Sequence, residues 1–119
     1  MKFKHIYATV VAGEKHIWNV ERLWSLAKEL SSTLTDIESI QTLDENCWFF
    51  ERKQPTVREV ASHVKRIYEA DLSYPIILSV DGVVMDGVHR LAKAFIFGKK
   101  KINVVQFEVM PSPDIIQKI

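Results

Sequence analysis

The sequence lacks most of the features that would assign a class at sight. It has a single cysteine, Cys47, so neither an intrachain disulfide nor a zinc cluster can form. A lone cysteine fits a reducing compartment. Charge of one sign is missing too: 16 Lys and Arg against 15 Asp and Glu leave +1, so no strong field draws the chain to nucleic acid or a membrane. No apolar run approaches the length needed to span a bilayer. The apolar part of residues 1–12 is shorter and more interrupted than a signal peptide. These absences predict a soluble, cytoplasmic protein. Repeats, low-complexity segments and linkers are absent as well. What remains is 119 residues, 47% of them hydrophobic, enough for one domain (1–119) with its own core.

The stretch around which the chain is organised covers residues 79–94. Ile76 to Val80 is an apolar run between Pro75 and Asp81-Gly82. Asp-Gly between β-branched runs predicts a tight hairpin of type I′, in which both central residues take positive φ. Val83, Val84 and Met85 return the chain, and Asp86-Gly87 ends the strand. Val88, Leu91, Ala92 and Phe95 then share one helical face. Gly98 stops that helix, with Lys99, Lys100 and Lys101 beyond it where the dipole favours cations. A helix start leaves amides unpaired, and a glycine there admits a ligand close to the backbone. With His89 and Arg90 in the first turn, this is a candidate anion site, and phosphate is the commonest anion at such a site.

The rest of the chain supplies the frame. Ile6 to Val11 and His16-Ile17-Trp18 are strand candidates. Asn19 caps a helix whose stripe is Val20, Leu23, Trp24, Ala27 and Leu30. Residues 31–35 read as a polar loop, and Ile37 and Ile40 mark a short element. Cys47-Trp48-Phe49-Phe50 reads as a short strand or a lead-in to the core, with Cys47 a buried small residue. Thr56-Val57-Arg58-Glu59 matches a capping box. Val57, Val60, Ala61, Val64, Ile67 and Tyr68 form the apolar stripe of the helix it opens. Glu59, Ser62 and Arg66 share the opposite face, with His63 beside them as a surface polar residue. Ile102 to Val109 is a final strand, and residues 110–119 a tail, either disordered or docked on the body or on a partner.

Several residues in this order resemble the ParB/sulfiredoxin superfamily: a helix, Tyr74-Pro75-Ile76-Ile77-Leu78, Asp81-Gly82, Met85-Asp86-Gly87-Val88-His89-Arg90-Leu91-Ala92-Lys93-Ala94, Gly98, then Ile102 to Phe107. The likeness covers residues 43–109 and extends to small bacterial ParB-like proteins. It implies an α+β fold, a small mixed β-sheet packed against two or three helices. It also implies a nucleotide held through its phosphates, ATP in sulfiredoxins and the free-serine kinase, CTP in ParB. Carried across, Gly87, Val88, His89 and Arg90 would hold phosphate, with Ser62 and Arg66 on the other wall. The departures are specific. Val88 stands where sulfiredoxins carry their nucleophilic cysteine, so that chemistry is lost. ParB's helix-turn-helix is missing, which disfavours DNA, and so is its second arginine in place of His89.

Each candidate also has a structural reading. Arg90 would otherwise pair with Asp86 or Glu59, and His89 would cap or pack. Asp86 is an N-cap or, with nucleotide, a Mg²⁺ ligand. Asp81 is a turn residue. Trp18, Trp24 and Trp48 are core rather than a stacking platform. His89 and Glu51 are the acid–base candidates, Glu51 otherwise a solvated charge. The expected function is therefore nucleotide binding, ATP ahead of CTP, with or without Mg²⁺ and with neither zinc nor haem, and with phosphoryl transfer to a small molecule as the reaction it allows. A small-molecule or protein substrate and a second copy of the chain are the partners this reading admits, with no membrane. The alternatives are a regulatory or protein-interaction module using the apolar tail, or a weak nucleic-acid binder using Arg52, Lys53, Arg58, Lys65, Arg66 and Lys99 to Lys101, which predicts steep salt dependence.

Overall fold

The structure, a computed structural model, describes residues 2–49 and 54–119. In chain order its elements are β1 (Ile6–Val11), β2 (Glu14–Asn19), α1 (Val20–Ala27), β3 (Thr33–Asp36), α2 (Val57–Glu69), β4 (Ile76–Leu78), β5 (Val84–Asp86), α3 (Val88–Ile96), β6 (Lys101–Gln106) and β7 (Ile115–Lys118). Two short 3-10 turns, Ile37–Ser39 and Gln41–Asp44, follow β3. The class is α+β, and among the described residues there are two sheets where the sequence predicts one.

The four-stranded sheet, β3-β6-β4-β5, is mixed: β4 and β6 are parallel, the outer pairs antiparallel. Its central strands divide their side chains between two cores. Ile76, Leu78, Val84 and Val104 pack with Leu91 and Ala94 of α3 and with Ile37 and Ile40. Ile77, Met85 and Val105 face the other way, onto Trp18, Val20, Leu23 and Ala27. All three residues of β4 are buried, which is why Ile76-Ile77-Leu78 is a continuous apolar run rather than an alternating one.

The second sheet, β1-β2-β7, is where local patterning falls short. β1 and β2 join through Ala12-Gly13, both at positive φ (49° and 80°). The expected loose tail is β7, paired antiparallel with β2. Asp114 fixes it by accepting from the Asn19 amide at 2.8 Å and from Arg22 Nη1 at 3.1 Å, and the Trp18 indole donates to the Pro111 carbonyl at 2.8 Å. The tail's backbone is thus held within the chain, while the side chains of Ile116 and Ile119 stay exposed. Likewise residues 33–35, predicted as part of a loop over 31–35, belong to the strand Thr33–Asp36 because it pairs with β6.

Local signals hold at the helix ends. The Asn19 side chain accepts from the Glu21 amide at 3.2 Å. The capping box of α2 is complete, Thr56 and Glu59 exchanging bonds of 3.0 and 3.2 Å. Gly98, at φ 71°, closes α3 with bonds from Gly98 N to Phe95 O and from Lys99 N to Ala94 O, a Schellman ending. The 79–83 turn differs from the type I′ expectation. Only Gly82 has positive φ, and bonds from Gly82 N to Ser79 O and Ser79 N to Val83 O close a three-residue loop.

Two apolar faces are placed differently from expectation. On α3, Ala94 is buried and Phe95 exposed, so the inward face lies one position round from the predicted one. On α2, Ile67 is buried, whereas Val57, Val60, Val64 and Tyr68 are exposed. The stripe is real, but it is turned outward. Trp24 is also exposed, and Trp18 alone of the three tryptophans is deep core.

Candidate functional site

Gly87 sits between β5 and α3 at φ 107°, a region that L side chains resist. A Cβ there would stand 2.6 Å from Ile76 Cγ2 and 3.0 Å from Arg90 Nε and Nη2. The glycine therefore lets the Arg90 guanidinium lie against the backbone at the start of α3. Gly87 itself is the N-cap, not Asp86, and with no side chain it offers nothing to the first-turn amides. A cleft of about 250 Å³ opens here, lined by Asp71, Tyr74, Asp86, Gly87, His89 and Arg90 among others.

Asp86 is committed elsewhere. One of its oxygens, Oδ2, accepts from Arg90 Nη2 at 2.7 Å and from the Trp24 indole at 2.7 Å. The Asp86 pairing weighed for Arg90 is thus present, and it occupies one of five guanidinium donors. On the far side of this pair lies a larger cavity of about 720 Å³. Trp24, Tyr74, Pro75, Ile77 and Val105 wall it, with Glu21 and Lys28 at its edge. The two spaces share Tyr74, Asp86 and Arg90, so the ion pair stands between a polar compartment and an apolar one.

Behind the small cleft is a cluster that the sequence did not reveal. His63 of α2 and His89 of α3 meet with Nδ1 and Nε2 2.8 Å apart. Trp48 stacks on both rings, at 4.5 and 4.7 Å between centroids, and Phe49 meets His63 edge-on. Residues 47–49 are irregular rather than strand; Trp48 is a stacking platform, but for histidines. The partners are far apart in sequence and follow no shared period. The only usable signal was that His63 adjoins the polar face of α2.

Burial and the neighbouring Arg66 and His63 push the His89 imidazole down to about 4, and burial with Arg66 lowers His63 as well. Lowered values mean that the folded chain disfavours the imidazolium. Between the ordinary value near 6.5 and about 4, the unfolded chain binds more protons, so stability falls as pH falls through that window. Denaturation midpoints measured from pH 7 to pH 4.5 should decline, and His89→Gln should flatten that decline.

No family model, curated protein or solved structure matches this chain. The residues themselves must therefore carry the functional reading. Ser62 and Arg66 are exposed on α2 and line neither cavity; Arg66 reaches the site through its field on the two histidines. Glu51 lies outside the described residues, as do Arg52 and Lys53. Cys47 is exposed rather than buried as a residue, yet partial desolvation of its sulfur and the nearby Glu45 hold its thiol pKa above the ordinary value, which makes a poor nucleophile. Asp81 is in the turn, as expected. Among the described residues no three His, Cys, Asp or Glu are grouped to hold a metal, and no helix is long and apolar enough to cross a membrane.

Proposed function

We propose that this chain binds a nucleotide, with its phosphates in the cleft at the start of α3, in the manner of ParB/sulfiredoxin-like domains. The observation that carries the reading is Gly87, where backbone, guanidinium and cleft meet and where no side chain fits. First-turn amides with partial positive charge and the remaining Arg90 donors suit phosphate oxygens. ATP is favoured over CTP because the Gly-Val-His-Arg order follows the sulfiredoxin pattern, not ParB's paired arginines. Asp71 and Asp86 line the same cleft. Two carboxylates beside a polyphosphate repel it unless Mg²⁺ bridges them, so the nucleotide is taken as its magnesium complex. The 720 Å³ apolar compartment then holds the rest of the ligand or an acceptor molecule. Phosphoryl transfer is the reaction such a site allows.

Calorimetry with ATP and CTP, with and without Mg²⁺, tests this. Arg90→Ala should weaken ATP binding about tenfold or more, the worth of a charge-assisted bond of roughly 1.5–3 kcal/mol. Unchanged affinity removes Arg90 from the site. A second reading, a protein-interaction module, is favoured by the outward stripe Val57, Val60, Val64 and Tyr68. It takes precedence if the wild-type chain binds neither nucleotide.

A further inference from the structure

His63 and His89 belong to different helices, yet their rings lie within 11° of parallel and share a 2.8 Å contact between Nδ1 and Nε2. At that distance one proton can bridge the two nitrogens, which couples the protonation of one ring to that of the other. Trp48 stacks over both rings and covers one face of the part-buried contact. His89 also lines the small cleft. With its Nε2 engaged by His63, Nδ1 is the nitrogen it has left for a molecule in that cleft. We propose that His89 and His63 form a two-ring proton relay, in which His89 takes the proton of an acceptor hydroxyl and His63 carries the charge away from the cleft.

The relay rests on the nucleotide reading for its phosphoryl donor. In the working tautomer His89 is bare on Nδ1 and donates from Nε2 to His63 Nδ1. As the acceptor oxygen bonds to the γ-phosphorus, its O–H proton passes to His89 Nδ1. The Nε2 proton of His89 passes to His63 Nδ1. The bond between the γ-phosphorus and the bridging oxygen breaks, and its electron pair leaves on ADP. The pair gains one positive charge, centred on His63, which returns its proton to solvent. The groups around it suit a transient charge. On α2, Arg66 opposes a resident proton while Glu59 favours one. Across the cleft stand Asp71 and the Asp86–Arg90 pair. Burial and Arg66 keep both imidazoles neutral at pH 7, so His89 can accept a proton but holds it weakly, and it must hand the charge on to the second ring.

The test uses the full chain, His63→Gln and His89→Gln, with Mg-ATP and water, glycerol or free serine as acceptors. ADP release gives turnover, and calorimetry gives ATP affinity separately. The relay predicts turnover reduced about 100-fold in His89→Gln and about tenfold in His63→Gln. Because His63 lines neither cavity, the ATP affinity of His63→Gln should stay within about twofold of wild type. The acid limb of the pH–rate profile should also move in His63→Gln, which a packing role would not produce. Wild-type chain that binds ATP without turnover overturns the relay and leaves the nucleotide reading standing. A His63→Gln variant with wild-type rate and profile does the same. Absence of ATP binding sinks both. Should the glutamine variants fail to fold, ¹⁵N spectra of the wild-type imidazoles decide: a relay requires both rings to respond together to one proton, and two independent titrations refute it.

Discussion

Replacing Gly87 with alanine should destabilise the chain by about 2–5 kcal/mol, read as a shift in the denaturation midpoint. Two costs combine. An alanine held at left-handed φ costs about 1–2 kcal/mol. Its methyl would also stand 2.6 Å from Ile76 Cγ2, and Ile76 has no room to yield, since it is fully buried at the centre of the sheet. Overpacking of that kind costs about 1–3 kcal/mol. The easier movement is that of Arg90, whose Nε and Nη2 lie 3.0 Å away. If the guanidinium moves, it leaves Asp86, and the mouth of the cleft changes with it. The same substitution should therefore weaken anion binding in whatever fraction still folds. A variant with wild-type stability would show that the backbone at Gly87 relaxes freely, and the close approach would then have no bearing on the site.

What was legible in the sequence was what three or four consecutive residues encode. Asn19, the Thr56–Glu59 box and Gly98 each state their own hydrogen bonds. The strand–glycine–helix order around Gly87 was equally local. What was not legible depends on a partner far away. Thr33–Asp36 and Ile115–Lys118 become strands only because β6 and β2 present open edges to them; their own composition is that of a loop and a tail. Helical periodicity identified the apolar stripe of α2, yet periodicity says which residues share a face and nothing about what lies opposite. In the candidate site, Gly87, His89 and Arg90 were found by position. His63 and Trp48 were not, because a ring-to-ring bond between two helices leaves no pattern along the chain.

Replacing Asp86 with alanine separates the two roles of Arg90, because it should move stability and affinity in opposite directions. Asp86 Oδ2 satisfies both Arg90 Nη2 and the Trp24 indole, each at 2.7 Å. Both partners of the ion pair are largely shielded, at 17% and 23% side-chain exposure. Its loss leaves the partly shielded guanidinium without its carboxylate and turns the exposed Trp24 indole N–H over to water, which costs about 1–3 kcal/mol. Trp24, no longer pinned, should also change its emission. The guanidinium, however, is then un-neutralised at the mouth of the cleft. Sulfate or inorganic phosphate should bind roughly tenfold more tightly, a gain of about 1.4 kcal/mol, whereas Arg90→Ala should lose affinity and stability together. The double variant separates the two ways Asp86 acts on anions: any affinity above that of Arg90→Ala alone measures the direct repulsion by the carboxylate, and the rest acts through Arg90. A chain whose anion affinity is unmoved in all three variants has an Arg90 that serves the fold alone.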